Sequence, residues 1–261
     1  MKKSNVLFVI IAFCASMVTV QSCRKDKKDH KEEEKEHVQS TGNVNDDEEV
    51  KIYYNIDNSL TVHGEAEFDE SSKVTHDLNV MNDGKIIVNT EEDTSHVVVG
   101  GNANIDDSLI VTNGNLDIKS DLNLNEKGSV LIDNINSVVT VGGNANLNDS
   151  LVVASGDLQI KGDFNLNDKG KVVIDDPNST VTIGKNANIN YSVTIKRGTL
   201  IINGDLNNNS NGIINCYNTA KVIVYGSLNQ SGTVYGFANF TVFGTFHNNS
   251  NRTYSIPLLE N

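Results

Sequence analysis

The chain has 261 residues, enough for one large domain or two ordinary ones, with 38% apolar and 21% charged residues, 2 Pro, no Trp and 3 Cys. Its 38 asparagines are several times ordinary usage, while Gly is ordinary and Pro almost absent, which excludes a collagen-like or Pro-rich chain. A formal net charge of -13 argues against a nucleic-acid groove, which needs Lys and Arg in excess, and against simple electrostatic adhesion to acidic membranes.

In chain order, the basic opening MKKSN is followed by an apolar run from Val6 to Val20, broken only by Ser16 and Thr19, and then by Gln21, Ser22 and Cys23. This pattern predicts a secretory signal peptide over residues 1–22, since the run is shorter than the ~20 apolar residues a spanning helix needs. The string VQSC at its end resembles the lipobox of bacterial lipoproteins. The resemblance implies acylation of Cys23 as the first mature residue and export, with anchoring in the outer membrane through membrane lipid, on the periplasmic or cell-surface side. Two or three acyl chains, at ~0.8 kcal/mol per buried methylene, make a durable anchor.

Arg24 to Glu36 carries 6 basic and 6 acidic residues and almost nothing apolar, so residues 23–49 read as the lipidated Cys and a solvated tether. A charged stretch directly after a lipidated Cys also resembles the surface-export signal of some Gram-negative lipoproteins; a plain spacer is the competing reading. Residues 37–261 hold 13 Lys and Arg against 28 Asp and Glu, so the acidity belongs to the passenger.

Self-comparison then governs the fold. VVVGGNANIDDSL at Val97, VTVGGNANLNDSL at Val139 and VTIGKNANINYSV at Val181 recur every 42 residues, and so do the intervening strings from Gly114, Gly156 and Gly198. Each long unit is double, so equivalent strands are expected at Val97, Leu116, Val139, Leu158, Val181, Leu200, Val222 and Phe240, in coils of about 21 residues. Within a coil, LQIKGDFNLNDKGKVVID alternates apolar and polar with period two: Leu158, Ile160, Phe164, Leu166, Val172 and Ile174 share one face, and Gln159, Lys161, Asn165 and Asn167 the other. No single coil buries its apolar row, whereas stacked coils bury all of them together. The expectation is an all-β, single-stranded parallel β-helix, a β-solenoid, taken as right-handed because long and short coils alternate. An antiparallel sandwich gives no reason for the two-coil register.

Residues 50–96 are expected to form the N-terminal cap and first coils, with SLTVHGEAEFDE from Ser59 out of step; 97–247 the regular coils; and 248–261 a C-terminal cap. The rod would then have eight or nine coils, roughly 40 Å at ~4.8 Å per rung. Asn104, Asn123, Asn146, Asn165, Asn188, Asn207 and Asn229 fall at one place in successive coils, where their amides can form a structural ladder or serve as turn residues. Tyr217, Tyr225, Tyr235, Phe237, Phe240, Phe243, Phe246 and Tyr254 gather most of the mature aromatics near the end.

No constellation for chemistry emerges. Cys14 lies in the signal, Cys23 is the lipidation site, and Cys216 takes the place of Ile132 and Ile174 in the repeat, a core position. The six histidines lack zinc spacing, so neither metal ligands nor catalytic residues nor a cofactor are assigned. Asp106, Asp107, Asn148 and Asp149 read as solvated turns rather than as a calcium site. The repeats are similar to those of bacterial adhesin passengers and, more distantly, of polymer-forming bactofilins. That likeness implies a non-enzymatic, structural or adhesive envelope rod with a glycan or protein ligand and no nucleic-acid partner. The alternatives are a polysaccharide-binding or polysaccharide-cleaving β-helix, and a self-polymerising solenoid joined end to end through the aromatic coils.

Overall fold

The structure, a computed structural model, describes residues 42–90, 94–167 and 169–250. The expected signal peptide, Cys23, the expected tether from Arg24 to Glu36, and Tyr254 lie outside the described residues. Every strand pairing among the described residues is parallel, and the chain is a β-solenoid of about ten coils of about 21 residues. The period-two pattern is the cause: in one coil Leu116 and Ile118, Leu122 and Leu124, and Val130 and Ile132 point inward from three successive strand segments, and all six are buried. Short bends and turns between these segments, such as Lys119 to Asp121 and Asn125 to Gly128, redirect the chain, so the three segments wrap a single aliphatic core.

One face is a sheet of eleven three-residue strands that opens with Gly42–Val44 and closes with Phe246–Asn248. Its rungs advance by 18, 18, 25, 19, 23, 19, 23, 19, 22 and 18 residues. The other two faces merge into one 14-stranded sheet, because long strands such as Ser129–Val141 and Lys171–Ile183 run round the corner between them.

That corner explains the two-coil period. Asp133 pairs with Ser155 and Val138 with Asp157, so Asn134 to Ser137 on the longer coil oppose Gly156 alone on the shorter. The same holds at Asp175 and Thr180 against Arg197 and Thr199, where four residues face Gly198. Gly156 sits at φ 88°, and a Cβ there would lie 2.4 Å from the Asn134 carbonyl oxygen and 2.6 Å from that of Ser137. Only glycine accepts both the left-handed backbone and that contact. Along the regular coils each four-residue corner is thus stacked on a single glycine, and long coils alternate with short ones.

The pairing of Val97, Leu116, Val139, Leu158, Val181, Leu200, Val222 and Phe240 follows the repeat rung by rung. The stack is longer than eight or nine coils. Leu60–Val62 pairs in register with both Gly42–Val44 and Leu78–Val80, so the Ser59 string is in step, in coils of 18 residues that carry no extended corner. At ~4.8 Å per rung, ten steps make a rod of about 48 Å. Gly42–Val44, the first described rung, falls inside the stretch read as tether.

Candidate functional site

Two surfaces differ from the plain repeat. The first is the outward row of the eleven-stranded sheet. Asn104, Asn123, Asn146, Asn165, Asn188, Asn207 and Asn229 each donate from Nδ2 to Oδ1 of the residue one coil earlier, at 2.7–2.9 Å, and Asn104 finds Asn79 as its acceptor. All are half-buried and lie within extended strands, so none acts as a left-handed turn residue. From Asn104 to Asn207 each amide uses one N–H and one lone pair on the ladder and has one of each left over, while Asn229, at its end, only donates. The row continues into His247, which pairs with Asn229 across the last rung.

A second ladder, missing from the sequence reading, runs beside it. The backbone N–H of Asn102, Asp121, Asn144, Asp163, Asn186, Asp205 and Ser227 donates to the side-chain Oδ1 of the equivalent residue one coil earlier, starting from Asp77, at 2.7–3.1 Å. Asp and Asn alternate because only the oxygen is used, and either side chain supplies it. The signal was present in the first Asn of GNAN and the Asp of GDFN and GDLN. On the other flank Asn125 donates to Asp106, Asn167 to Asn148 and Asn209 to Asn190. Asp106 and Asn148 therefore lie two rungs apart, ~10 Å at the rung spacing, too far to share one cation. Among the described residues no three His, Cys, Asp or Glu side chains gather as a metal site.

The second surface is a groove near the C-terminal end, lined by Lys196, Asn215, Tyr217, Asn218, Thr219 and Tyr235, together with the buried Cys216 and the exposed Gly236. Its origin is local. The last coil rounds this corner in a single 3-10 turn, Phe237–Asn239, which starts from Gly236 at φ 80°. A Cβ on Gly236 would stand 1.8 Å from the Cys216 carbonyl oxygen, so the close approach requires glycine. Asn239 Nδ2 donates to the Tyr217 carbonyl oxygen at 2.7 Å and ties the turn to the coil before it. Phe237 packs inward near Phe240 and Phe246, with ring centroids 5.3 and 6.0 Å away. Tyr217 and Tyr235, in contrast, are 57% and 58% exposed.

Of the groove's lining residues Lys196 carries the charge, and it is ion-paired just outside. Lys196 Nζ stands 2.7 Å and Arg197 Nε 3.2 Å from the Asp175 carboxylate, and the Lys196 hydrogen bond, ahead of that from Arg197, holds the Asp175 carboxyl below its ordinary range. Cys216 is buried, and burial pushes its thiol up to about 11 despite an opposing hydrogen bond with Asn239, so it is a poor nucleophile near neutrality. A second exposed pair, Tyr225 and Phe243, stacks at 5.0 Å with planes 7° apart on the neighbouring face. No family model, no curated protein and no solved structure matches this chain.

Proposed function

We propose that the chain is an exported lipoprotein, acylated at Cys23, whose solenoid stands off from the outer membrane as a stiff rod with a structural or adhesive role. The observation that carries this reading is the unbroken parallel register of the eleven-stranded sheet from Gly42 to Asn248, a continuous stack that suits a spacer. Three further features agree with it: VQSC closes an apolar export segment, a charged tether follows Cys23, and the aromatic coils lie at the end of the rod opposite the anchor. On this reading the chain catalyses no reaction and takes no cofactor. Its partners are membrane lipid through Cys23 and a ligand at the far end.

Metabolic labelling with an alkyne fatty acid in the native host tests the anchor. Label on the wild-type protein, absent from Cys23→Ala, with that variant released from the membrane fraction, is the expected result; an unlabelled, soluble wild-type protein overturns the reading. Protease treatment of intact cells then separates surface display, in which the domain is lost, from periplasmic display, in which it persists.

A further inference from the structure

We propose that the groove between Tyr217 and Tyr235 is a glycan-binding site, with pyranose rings lying on the two exposed tyrosines. This deepens the adhesive reading and rests on it.

The argument begins with the distribution of chemistry along the rod. The described coils from Leu206 to Ser250 contain no Asp or Glu, whereas the chain as a whole carries 34 of them. Most of the large apolar side chains that stay exposed are in this same stretch: Ile213, Tyr217, Tyr225, Tyr235 and Phe243. The repeat does not demand these rings: the places equivalent to Tyr217 hold Asp133 and Asp175, and the row that ends in the exposed Tyr235 runs through the smaller, half-buried side chains of Val152, Val173 and Thr194.

The groove's lining selects the class of ligand. Two rings exposed over more than half their surface offer apolar platforms that are polar at one edge. Around them stand two amides, a hydroxyl and an ammonium: Asn215, Asn218, Thr219 and Lys196. A protein hot spot concentrates apolar area in a desolvated centre. Here each ring is bordered by hydrogen-bonding groups, which matches a sugar, apolar on its C–H face and ringed by hydroxyls. No carboxylate lines the groove and the Lys196 ammonium does, so an acidic sugar is accepted as well as a neutral one.

The groove also has a fixed shape. Its tyrosines sit on consecutive rungs, since Asn215 pairs with Tyr235 and Tyr217 follows two residues after Asn215. The turn tied by Asn239 to the Tyr217 carbonyl holds the floor, so little ordering remains to be done when a ligand enters.

The test uses the full-length protein in detergent on a printed glycan array and in affinity gels containing mucin or polygalacturonate. Retention by at least one glycan is expected, weakened tenfold or more by Tyr217→Ala and by Tyr235→Ala and restored to within about threefold by Tyr235→Phe, because stacking needs the ring and not the hydroxyl. Tyr225→Ala, on the neighbouring face, should bind as wild type does. Unchanged melting temperatures show that the variants are folded. Three outcomes overturn the proposal: no retention by any glycan, binding by the two alanine variants as strong as that of the wild type, or binding to mucin that survives periodate oxidation of its sugars, which marks a protein partner. None of these bears on Cys23, so a failed groove leaves the anchored rod standing, and an unacylated Cys23 leaves the groove to be judged by the gels alone.

Discussion

The coils from Val97 to Leu206 and those that follow share one backbone plan but differ in what fills it. In the middle coils the inward place at the end of each three-residue strand holds Leu124, Leu147, Leu166 or Ile189, all buried and aliphatic. In the next two coils the same place holds Asn208 and Gln230, equally buried, with Asn208 Nδ2 donating to the Gln230 Oε1 at 3.1 Å and Gln230 Nε2 to the Gly232 carbonyl oxygen at 2.8 Å. Outside, the middle coils expose Ile135 and Tyr191 as their large apolar side chains, while the shorter stretch of later coils exposes Ile213, Tyr217, Tyr225, Tyr235 and Phe243. A coil with like neighbours on both sides is held to the common pattern by both of them. Toward the end of the stack that constraint relaxes, and side chains with other uses enter.

The comparison is broken most severely in the middle. Leu166→Ala removes a fully buried side chain flanked above and below by Leu147 and Ile189 and should cost ~2–5 kcal/mol in urea unfolding, whereas Phe246→Ala, half-buried at the last rung, should cost clearly less. Equal losses would mean that the end coils are as tightly constrained as the centre.

A smaller effect sharpens the contrast at the polar pair. Asn208→Leu alone leaves the buried Gln230 Oε1 without its donor and should cost ~1–3 kcal/mol, and adding Gln230→Leu should recover most of that loss by rebuilding the aliphatic row of the middle coils. If the double variant is less stable than the single, the pair is a stabilising network rather than a local departure from the repeat.

Below this comes the ladder. Asn146→Ala removes hydrogen bonds to both Asn123 and Asn165 and should cost roughly 1–2 kcal/mol, about twice the cost of Asn229→Ala, which loses its bond to Asn207. The smallest effect is at Cys216, and labelling with iodoacetamide reads it. With its thiol pushed up from an ordinary 9.0 to about 11, the folded protein at pH 8 should be alkylated there about a hundredfold more slowly than the unfolded chain. Because burial raises this pKa, the contribution of Cys216 to stability is complete below pH 9 and falls as pH rises toward 11. Labelling at the unfolded rate would place the thiol in an open groove floor.

How much of this the sequence carried depends on how often a feature is repeated. The 42-residue identity between Val97, Val139 and Val181 made the strand register legible, because each rung meets its own copy. Leu60–Val62 was not legible as a rung, since its coils lack the GNAN string and the extended corner, and only its pairing with Leu78–Val80 reveals the phase. The alternating Asp and Asn of the second ladder hid behind the stronger Asn row. Asn208 looked like one more polar residue in LNNNS, and whether it points inward depends on register, not on residue type. The groove was beyond sequence altogether: aromatic clustering was visible, but the 3-10 turn that leaves Tyr217 and Tyr235 exposed is a non-repeating event at Gly236.

Distances along the outer face test the central claim, that each coil adds one rung to a single straight stack. Spin labels at Glu65, Ser108, Ser150 and Ser192 all fall in one row, with two rungs from Ser108 to Ser150, four from Ser108 to Ser192 and six from Glu65 to Ser192. Pulsed electron paramagnetic resonance on the full-length protein should give separations rising in proportion, ~10, ~19 and ~29 Å at the backbone for a spacing of ~4.8 Å per rung. Separations that do not grow with rung number, or a Glu65–Ser192 distance no longer than Ser108–Ser192, would contradict the stacked rod and everything argued from it.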